Sequence, residues 1–289
     1  MERLILGDNQ FFGINHMSES TARAQAQRFR QNSAILEVLD GALSEGVRAF
    51  MCTTHDRMSD ICSQLRTDSR LGTIQLYPCM PYAQKYNNAV NEQGLVGALK
   101  MLLPERGRWR ATGQGGLALA SRDVDSVLRM LVDAEMKAFT GVATPVIFLQ
   151  NVVVDLLLGL RMKAPFRSFA NHVRQAYGAE PGFITMNLPR LAGFLRDEVG
   201  IENPIVCANI NRLGFRMCGG KQMYEDTLAL GGVRTIAMSV FASGAIEAED
   251  ALEYVCRLPN VGAIVFGASS VSHIRRTRTL AQQYWGIAI

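Results

Sequence analysis

The sequence predicts an α/β fold, a closed (β/α)8 TIM barrel. Three observations carry that expectation. Short apolar runs alternate with helix-periodic stretches from one end of the chain to the other. Eight such runs are present, each short, rich in β-branched or aromatic residues, and bounded by Gly, Pro or Asn. At 289 residues the chain also has the length at which such a barrel closes as one domain over residues 1–289.

The strands are expected near Arg3–Leu6, Val47–Cys52, Thr73–Cys79, Pro145–Leu149, Gly182–Met186, Pro204–Ala208, Thr235–Ser239 and Ala263–Phe266. Between them the apolar residues recur with the 3.6-residue period of a helix packed on one face. Ile35, Val38, Leu39, Ala42 and Leu43 form one stripe, Val124, Val127, Leu128 and Leu131 a second, and Leu191, Phe194, Leu195 and Val199 a third. Charged residues such as Glu37, Asp125, Arg129 and Arg196 take the opposite faces. Pro189 suits the first turn of its helix, and Pro259 follows a helix ending near Arg257. An open doubly wound sheet would want a glycine-rich phosphate loop after the first strand; Gly7 to Gly13 is not G-x-G-x-x-G. Gly107 to Leu117 holds four glycines and two arginines and reads as a long loop. Lys163 to Gly182 reads as an extension of the fourth strand–helix unit.

Hydrophobic residues make up 48% of the chain and charged residues 19%, which suits a chain with a large core. The net charge of +4 is spread without the concentrated basic patch that nucleic-acid binding needs, so no nucleic-acid partner is expected. No stretch of eighteen apolar residues argues for a membrane span, and no secretory leader is evident. Six cysteines without a C-x-x-C pair fit free thiols in a reducing compartment, so a cytoplasmic location is expected. The oligomeric state is left open.

Barrel enzymes assemble their sites at the C-terminal ends of the strands, which selects candidates by position. Asp8, Asn9, Gln10 and His16 follow the first strand, His55, Asp56 and Arg57 the second, and Tyr82, Lys85 and Tyr86 the third. Gln150 and Asn151 follow the fourth, Asn187 and Arg190 the fifth, and Asn209, Asn211 and Arg212 the sixth. Ser239 and Ser243 close the seventh, and Gly267, Ser269 and Ser270 the eighth. Amide-rich loops ending in arginine suit a polar, anionic small-molecule substrate. His55 with Asp56 is the leading acid/base pair, and Asp8 is a second carboxylate able to orient the histidine. Lys85, between Tyr82 and Tyr86, has the position of a Schiff-base lysine if burial lowers its pKa. Cys52 and Cys79 sit at strand ends but read as small buried hydrophobes. Asp8, His16, His55 and Asp56 are metal-ligand types without ligand spacing, so no metal is assigned. Gly267 to His273, with Arg275 and Arg276 in the following helix, is the best anion-binding signal, with Ser269 or Ser270 also placed to cap that helix.

The C-terminal third carries a family resemblance. Ile236-Ala-Met-Ser-Val-Phe-Ala-Ser-Gly244 resembles the seventh-strand A-x-S-P-L-x-x-G stretch of the aldo-keto reductases. Ala251 to Ser270 is similar to the segment in that family that ends in P-G-A-S-S, and Gly46 to Phe50 to its second-strand entry. Asn187 matches the asparagine of the fifth-strand S-N pair. The resemblance implies a (β/α)8 barrel and a nicotinamide cofactor, NADP, whose phosphate would lie at the 267–276 segment. It does not extend to the chemistry. Where the family has Asp-Thr-Ala and a nearby tyrosine, this chain reads Met51-Cys-Thr-Thr-His-Asp56; the histidine after the fourth strand is replaced by Gln150 or Asn151, and Lys85 is the nearest counterpart of the lysine.

The expected function is therefore a small-molecule metabolic or biosynthetic enzyme with non-standard acid/base chemistry, a lyase, isomerase or hydrolase. Two alternatives stand beside it. One is an NAD(P)H-dependent oxidoreductase with a rebuilt proton donor, Tyr82 or His55; the other is a non-catalytic ligand-binding barrel.

Overall fold

A computed structural model describes residues 1–15, 17–82 and 124–287. Eight parallel strands close a barrel in sequence order: β1 (Leu4–Gly7), β2 (Ala49–Thr53), β3 (Gln75–Met80), β4 (Val146–Leu149), β5 (Glu180–Thr185), β6 (Ile205–Asn209), β7 (Arg234–Met238) and β8 (Val261–Phe266). β8 returns to β1 through the register Leu4 to Ile264 and Leu6 to Phe266, so no sheet edge is left open.

Alternation along each strand decides the two cores. Ile5, Met51, Tyr77, Cys79, Phe148, Ile205, Cys207 and Ile236 point into the barrel, while Leu4, Leu6, Phe50 and Leu76 face the helices. Tyr77 and Phe148 fill much of the interior, their ring centroids 6.3 Å apart. Gly182 makes room for them: a Cβ there would lie 2.3 Å from the Phe148 ring.

The helices among the described residues are α1 (Glu19–Arg28), α2 (Asn32–Ser44), α3 (Met58–Thr67), α4 (Val124–Met136), α5 (Asn151–Gly159), α6 (Ala164–Tyr177), α7 (Leu188–Gly193), α8 (Lys221–Leu230), α9 (Ala248–Arg257) and α10 (Val271–Trp285). α1 carries no buried residue and so has no apolar stripe to betray it in the sequence. The stretch expected to extend the fourth unit forms a separate helix, α6, closed by Gly178 at φ 62°. The third predicted stripe is split: α7 passes into a π-helical segment, Phe194–Val199, that Gly200 ends at φ 76°. β5 starts two residues earlier than expected because Glu180 and Pro181 pair with Val146 and Ile147. No helix among the described residues is long and apolar enough to cross a membrane.

Candidate functional site

The rim over β1, β2 and β3 holds a buried, interconnected polar cluster. β1 ends at Gly7, and Asp8 follows, 6% exposed. Its Oδ2 accepts both the backbone N–H and the hydroxyl of Thr53, each at 2.7 Å. Thr53 is the last residue of β2, and its two donors fix the carboxylate across the rim. Burial nonetheless raises the Asp8 pKa above the ordinary carboxylate range, with the Thr53 bonds opposing that rise.

Tyr82 follows β3 and is 8% exposed. Burial raises its phenol pKa, and the negative charges of Asp8 and Asp56 add to the rise, so the phenol keeps its proton. The His55 ring lies 6.1 Å from that of Tyr82. On its other contacts His55 is tightly held. Its ring stacks on Phe12 at 4.1 Å, with 4° between the planes, and its Nδ1 accepts the backbone N–H of Arg57 at 3.2 Å. Arg57 in turn donates to Asn32 Oδ1 (2.8 Å) and the Phe29 carbonyl (2.7 Å), with its guanidinium 5.9 Å from the Phe12 ring centroid.

A buried carboxylate from α4 ties two of these loops together. Glu135 accepts the Tyr82 N–H at 3.1 and 3.2 Å and the Thr54 hydroxyl. Thr54 precedes His55, so one side chain anchors the approach to both His55 and Tyr82. Sequence reasoning missed Thr53, Phe12 and Glu135. Glu135 did leave a signal: it stands three residues after Val132 on the buried face of α4, where an acid needs a reason. Cys52 and Cys79 are buried, and burial pushes both thiols far above their usual range, which suits packing rather than nucleophilic attack.

Across the barrel the expected polar residues serve the loops themselves. Asn209 donates to the Arg216 carbonyl (3.1 Å), and Asn211 both donates to and accepts from the Phe215 backbone (2.9 and 2.8 Å). Arg212 pairs with Asp250 at 3.3 Å. Asn187 caps α7 by accepting the Arg190 N–H at 3.3 Å, and Arg190 is exposed. Gln150 precedes α5, its backbone N–H bonded to the Met80 carbonyl at 2.9 Å, and Asn151 begins that helix. Asn9 opens the short turn Asn9–Phe12. Gln10 is buried and donates to the Gly7 and Ala268 carbonyls (2.8 and 3.1 Å), fastening the first loop to the last. A Cβ at Gly267 would lie 2.7 Å from Gln10 Oε1, so a larger residue there would require the end of the Gln10 side chain to shift. Ser239, Ala242 and Ser243 after β7 all have positive φ (55°, 45° and 59°), a strained turn at the C-terminal rim of the barrel.

At the expected anion segment, Ser270 Oγ caps α10 through the His273 N–H (3.4 Å). Arg275 and Arg278 both pair with the buried Glu45, at 2.8 and 3.5 Å, and Arg276 lies 4.0 Å from Glu249. Among the described residues, Arg28 of α1 reaches the end of β8, where it donates to the Ser269 carbonyl at 2.6 Å. Arg28, Ser20, Thr21, Gln25 and Ser269 line a cleft of about 360 Å³, and the buried Gln25 Oε1 has no hydrogen-bond partner among the described residues. Arg28 is the cation of this lining, whereas the orphaned Gln25 oxygen calls for a hydrogen-bond donor. His16, Lys85, Tyr86 and the 107–117 loop lie outside the described residues.

No protein-family model matches the sequence, and no curated protein sequence does. Solved structures do match. A Pseudomonas aeruginosa protein provisionally assigned as an aldo-keto reductase superposes with a TM-score of 0.63 at 13% identity, over 98% of this chain and 91% of its own. An aldo-keto reductase from a Medee basin deep-sea metagenome library gives 0.57 at 8% identity, over 100% and 92%. An aldose reductase from Giardia lamblia gives 0.52 at 10% identity, over 99% and 93%. At these identities the likeness is one of architecture, and the chain has the closed (β/α)8 barrel of the aldo-keto reductases.

Proposed function

We propose that the protein is an enzyme that moves protons on a polar small molecule at the β1–β3 rim, in the manner of an isomerase or lyase. One observation carries the reading: Tyr82, a phenol that keeps its proton, stands beside the buried carboxylate of Asp8 and the ring of His55. A carboxylate with a raised pKa is a stronger base than an ordinary one, and Oδ2 is already committed to Thr53. Through Oδ1, Asp8 takes a proton from the carbon next to a substrate carbonyl. The C–H electron pair forms the C=C bond, and the carbonyl π pair moves to oxygen, which accepts hydrogen bonds from Tyr82 and His55. Where the deprotonated carbon bears a hydroxyl, its O–H proton passes to the enolate oxygen, the carbonyl re-forms at that carbon and the proton returns at the former carbonyl carbon, which isomerises the substrate. Where the carbon on the far side bears a leaving group, re-formation of the original carbonyl expels it with its electron pair, which makes the reaction an elimination. Below the rim, the half-buried Met238 and Val265 and the buried Met51 and Ile184 give an apolar floor that limits water and strengthens these charges.

The test is exchange of carbonyl-adjacent protons for deuterium in D2O, followed by NMR over a panel of phosphorylated and carboxylated oxo-metabolites without nucleotide. Exchange that Asp8→Asn and Tyr82→Phe each remove supports the reading. A reaction that proceeds only with a nicotinamide nucleotide overturns it.

A second reading, NAD(P)H-dependent carbonyl reduction, has its own support. The structural neighbours are named as reductases, and the cleft at the end of β8 has the cation Arg28 in its lining. A bound nicotinamide would supply the hydride; Tyr82 would give its proton to the carbonyl oxygen, and Arg28 and Ser269 would hold the phosphate. Calorimetric titration with NADPH decides it: micromolar binding weakened by Arg28→Ala supports this reading, and no binding removes it.

A further inference from the structure

We infer that Thr53 is the positioning residue of the rim's base: it loads two donors onto one oxygen of Asp8, leaves the other oxygen to receive the proton, and holds the carboxylate in its charged form. The inference rests on the reading of Asp8 as the base of the β1–β3 rim and names the residue that prepares it.

Two buried acids near the C-terminal rim are each held by the threonine that ends a strand, and they are held differently. Asp155 of α5 takes the Thr185 hydroxyl on Oδ1 and the Met186 N–H on Oδ2. Both of its oxygens are occupied, which is the arrangement of a clasp between α5 and the end of β5. Asp8 takes the Thr53 N–H and the Thr53 hydroxyl on one oxygen, Oδ2, each at 2.7 Å. Beyond Thr53, only its own backbone N–H acts on Asp8 as a donor among the described residues. A clasp gains most by spreading two donors over two oxygens. Loading both on Oδ2 leaves lone pairs of Oδ1 for a proton.

The sheet fixes this grip. Met51 of β2 pairs with Gly7 of β1, and Thr53 pairs with Cys79 of β3, so the strand register brings Thr53 beside the residue that follows Gly7. One donor is the strand's own N–H, and the other sits on a β-branched side chain with few rotamers.

No cation among the described residues takes part. Burial pushes Asp8 up, and hydrogen bonds alone oppose it. The titratable groups that feel its charge are Cys52 of β2, Cys79 of β3 and Tyr82, acids that are themselves pushed up and neutral. Gln10, from the turn after β1, is also neutral and is spent on the Gly7 and Ala268 carbonyls. Hydrogen bonds to an ionised acceptor are about twice as strong as to a neutral one, so the Thr53 donors favour the carboxylate. Burial makes Asp8 a stronger base; Thr53 keeps it open to a proton. When Oδ1 takes the substrate proton, charge leaves the carboxylate and both Thr53 bonds weaken. The same donors thus favour giving the proton back, which an isomerisation requires.

The experiment is carbon-13 NMR of protein labelled at its aspartate carboxyl carbons, titrated with pH without substrate. The Asp8 signal is the one lost in Asp8→Asn. Thr53→Val keeps the side-chain shape and the N–H but removes the hydroxyl, and its Asp8 midpoint should lie about 1 pH unit above wild type. Thr53→Ala should raise it too, and Thr53→Ser should restore it. Thr185→Val removes the matching bond at Asp155 and should leave the Asp8 midpoint in place. An unmoved midpoint in Thr53→Val and Thr53→Ala, or an equal rise in Thr185→Val, overturns the inference. In the deuterium-exchange assay the acid limb of kcat/KM should move up with the midpoint in Thr53→Val; a slower rate with the limb unmoved would reduce Thr53 to a structural part and overturn it as well. The titration needs no turnover. Exchange indifferent to Asp8→Asn would therefore end the rim reading separately, whatever the midpoints do.

Discussion

Glu135 offers the sharpest test of how the site is held. It is 5% exposed and serves two buried donors, the Tyr82 N–H and the Thr54 hydroxyl, with Thr54 fully buried. Glu135→Ala takes the acceptor from both. A buried donor left without a partner costs about 1–3 kcal/mol, so two cost roughly 2–6 kcal/mol. The Thr54 hydroxyl can rotate and water can enter the space left by the side chain, which brings the expectation to about 2–4 kcal/mol. Glu135→Gln keeps one acceptor oxygen and turns an NH2 toward the second donor, so its loss should be near 1–2 kcal/mol. Urea unfolding followed by circular dichroism reads both, as a fall in midpoint at constant slope. The ordering wild type, Gln, Ala is the signature of hydrogen-bond loss. An alanine variant within about 0.5 kcal/mol of wild type would refute the reasoning, because it would mean the two donors are satisfied without Glu135.

Asp8→Asn should raise stability while abolishing activity. Burial raises the Asp8 pKa in the fold, so the stabilising proton is fully present below the unfolded value and is lost as pH rises through the folded one. Asparagine keeps an acceptor oxygen for Thr53 without the charge, so the melting-temperature gap over wild type should widen as pH rises above the ordinary carboxylate range; a gap that narrows would count against Asp8 as a destabilised carboxylate. Gly182→Ala would put a Cβ 2.3 Å from Phe148 and should cost about 1–3 kcal/mol in thermal unfolding, with Phe148→Leu recovering part of it. No loss in the single variant would mean the barrel interior is looser than its packing implies. Ser243→Gly relieves a left-handed backbone at φ 59° and should stabilise by about 1 kcal/mol; a drop in melting temperature would show that the serine side chain outweighs the strain.

The barrel was legible in the sequence because its signal is local and repeated. Period-2 and period-3.6 patterns depend on which side of an element meets the core, and each of the eight units states that separately. Asp8, His55 and Tyr82 were legible for a related reason: a strand end in a parallel barrel places its next residues at one rim. Their contacts were not: the Nδ1 of His55 accepts the Arg57 N–H, and its ring rests on Phe12 from another loop. Glu135 reaches Tyr82 across 53 positions, and Asp8 reaches Thr53 across 45. The asparagines after β6 and the arginines of α10 look the same in sequence whether they meet a ligand or their own chain; folding turned Asn211 onto Phe215 and Arg275 onto Glu45. The sequence by itself determined which residues ring the barrel mouth. Which of them are spent on holding the loops is a matter of distances between segments far apart in the chain, and only the tertiary structure decided it.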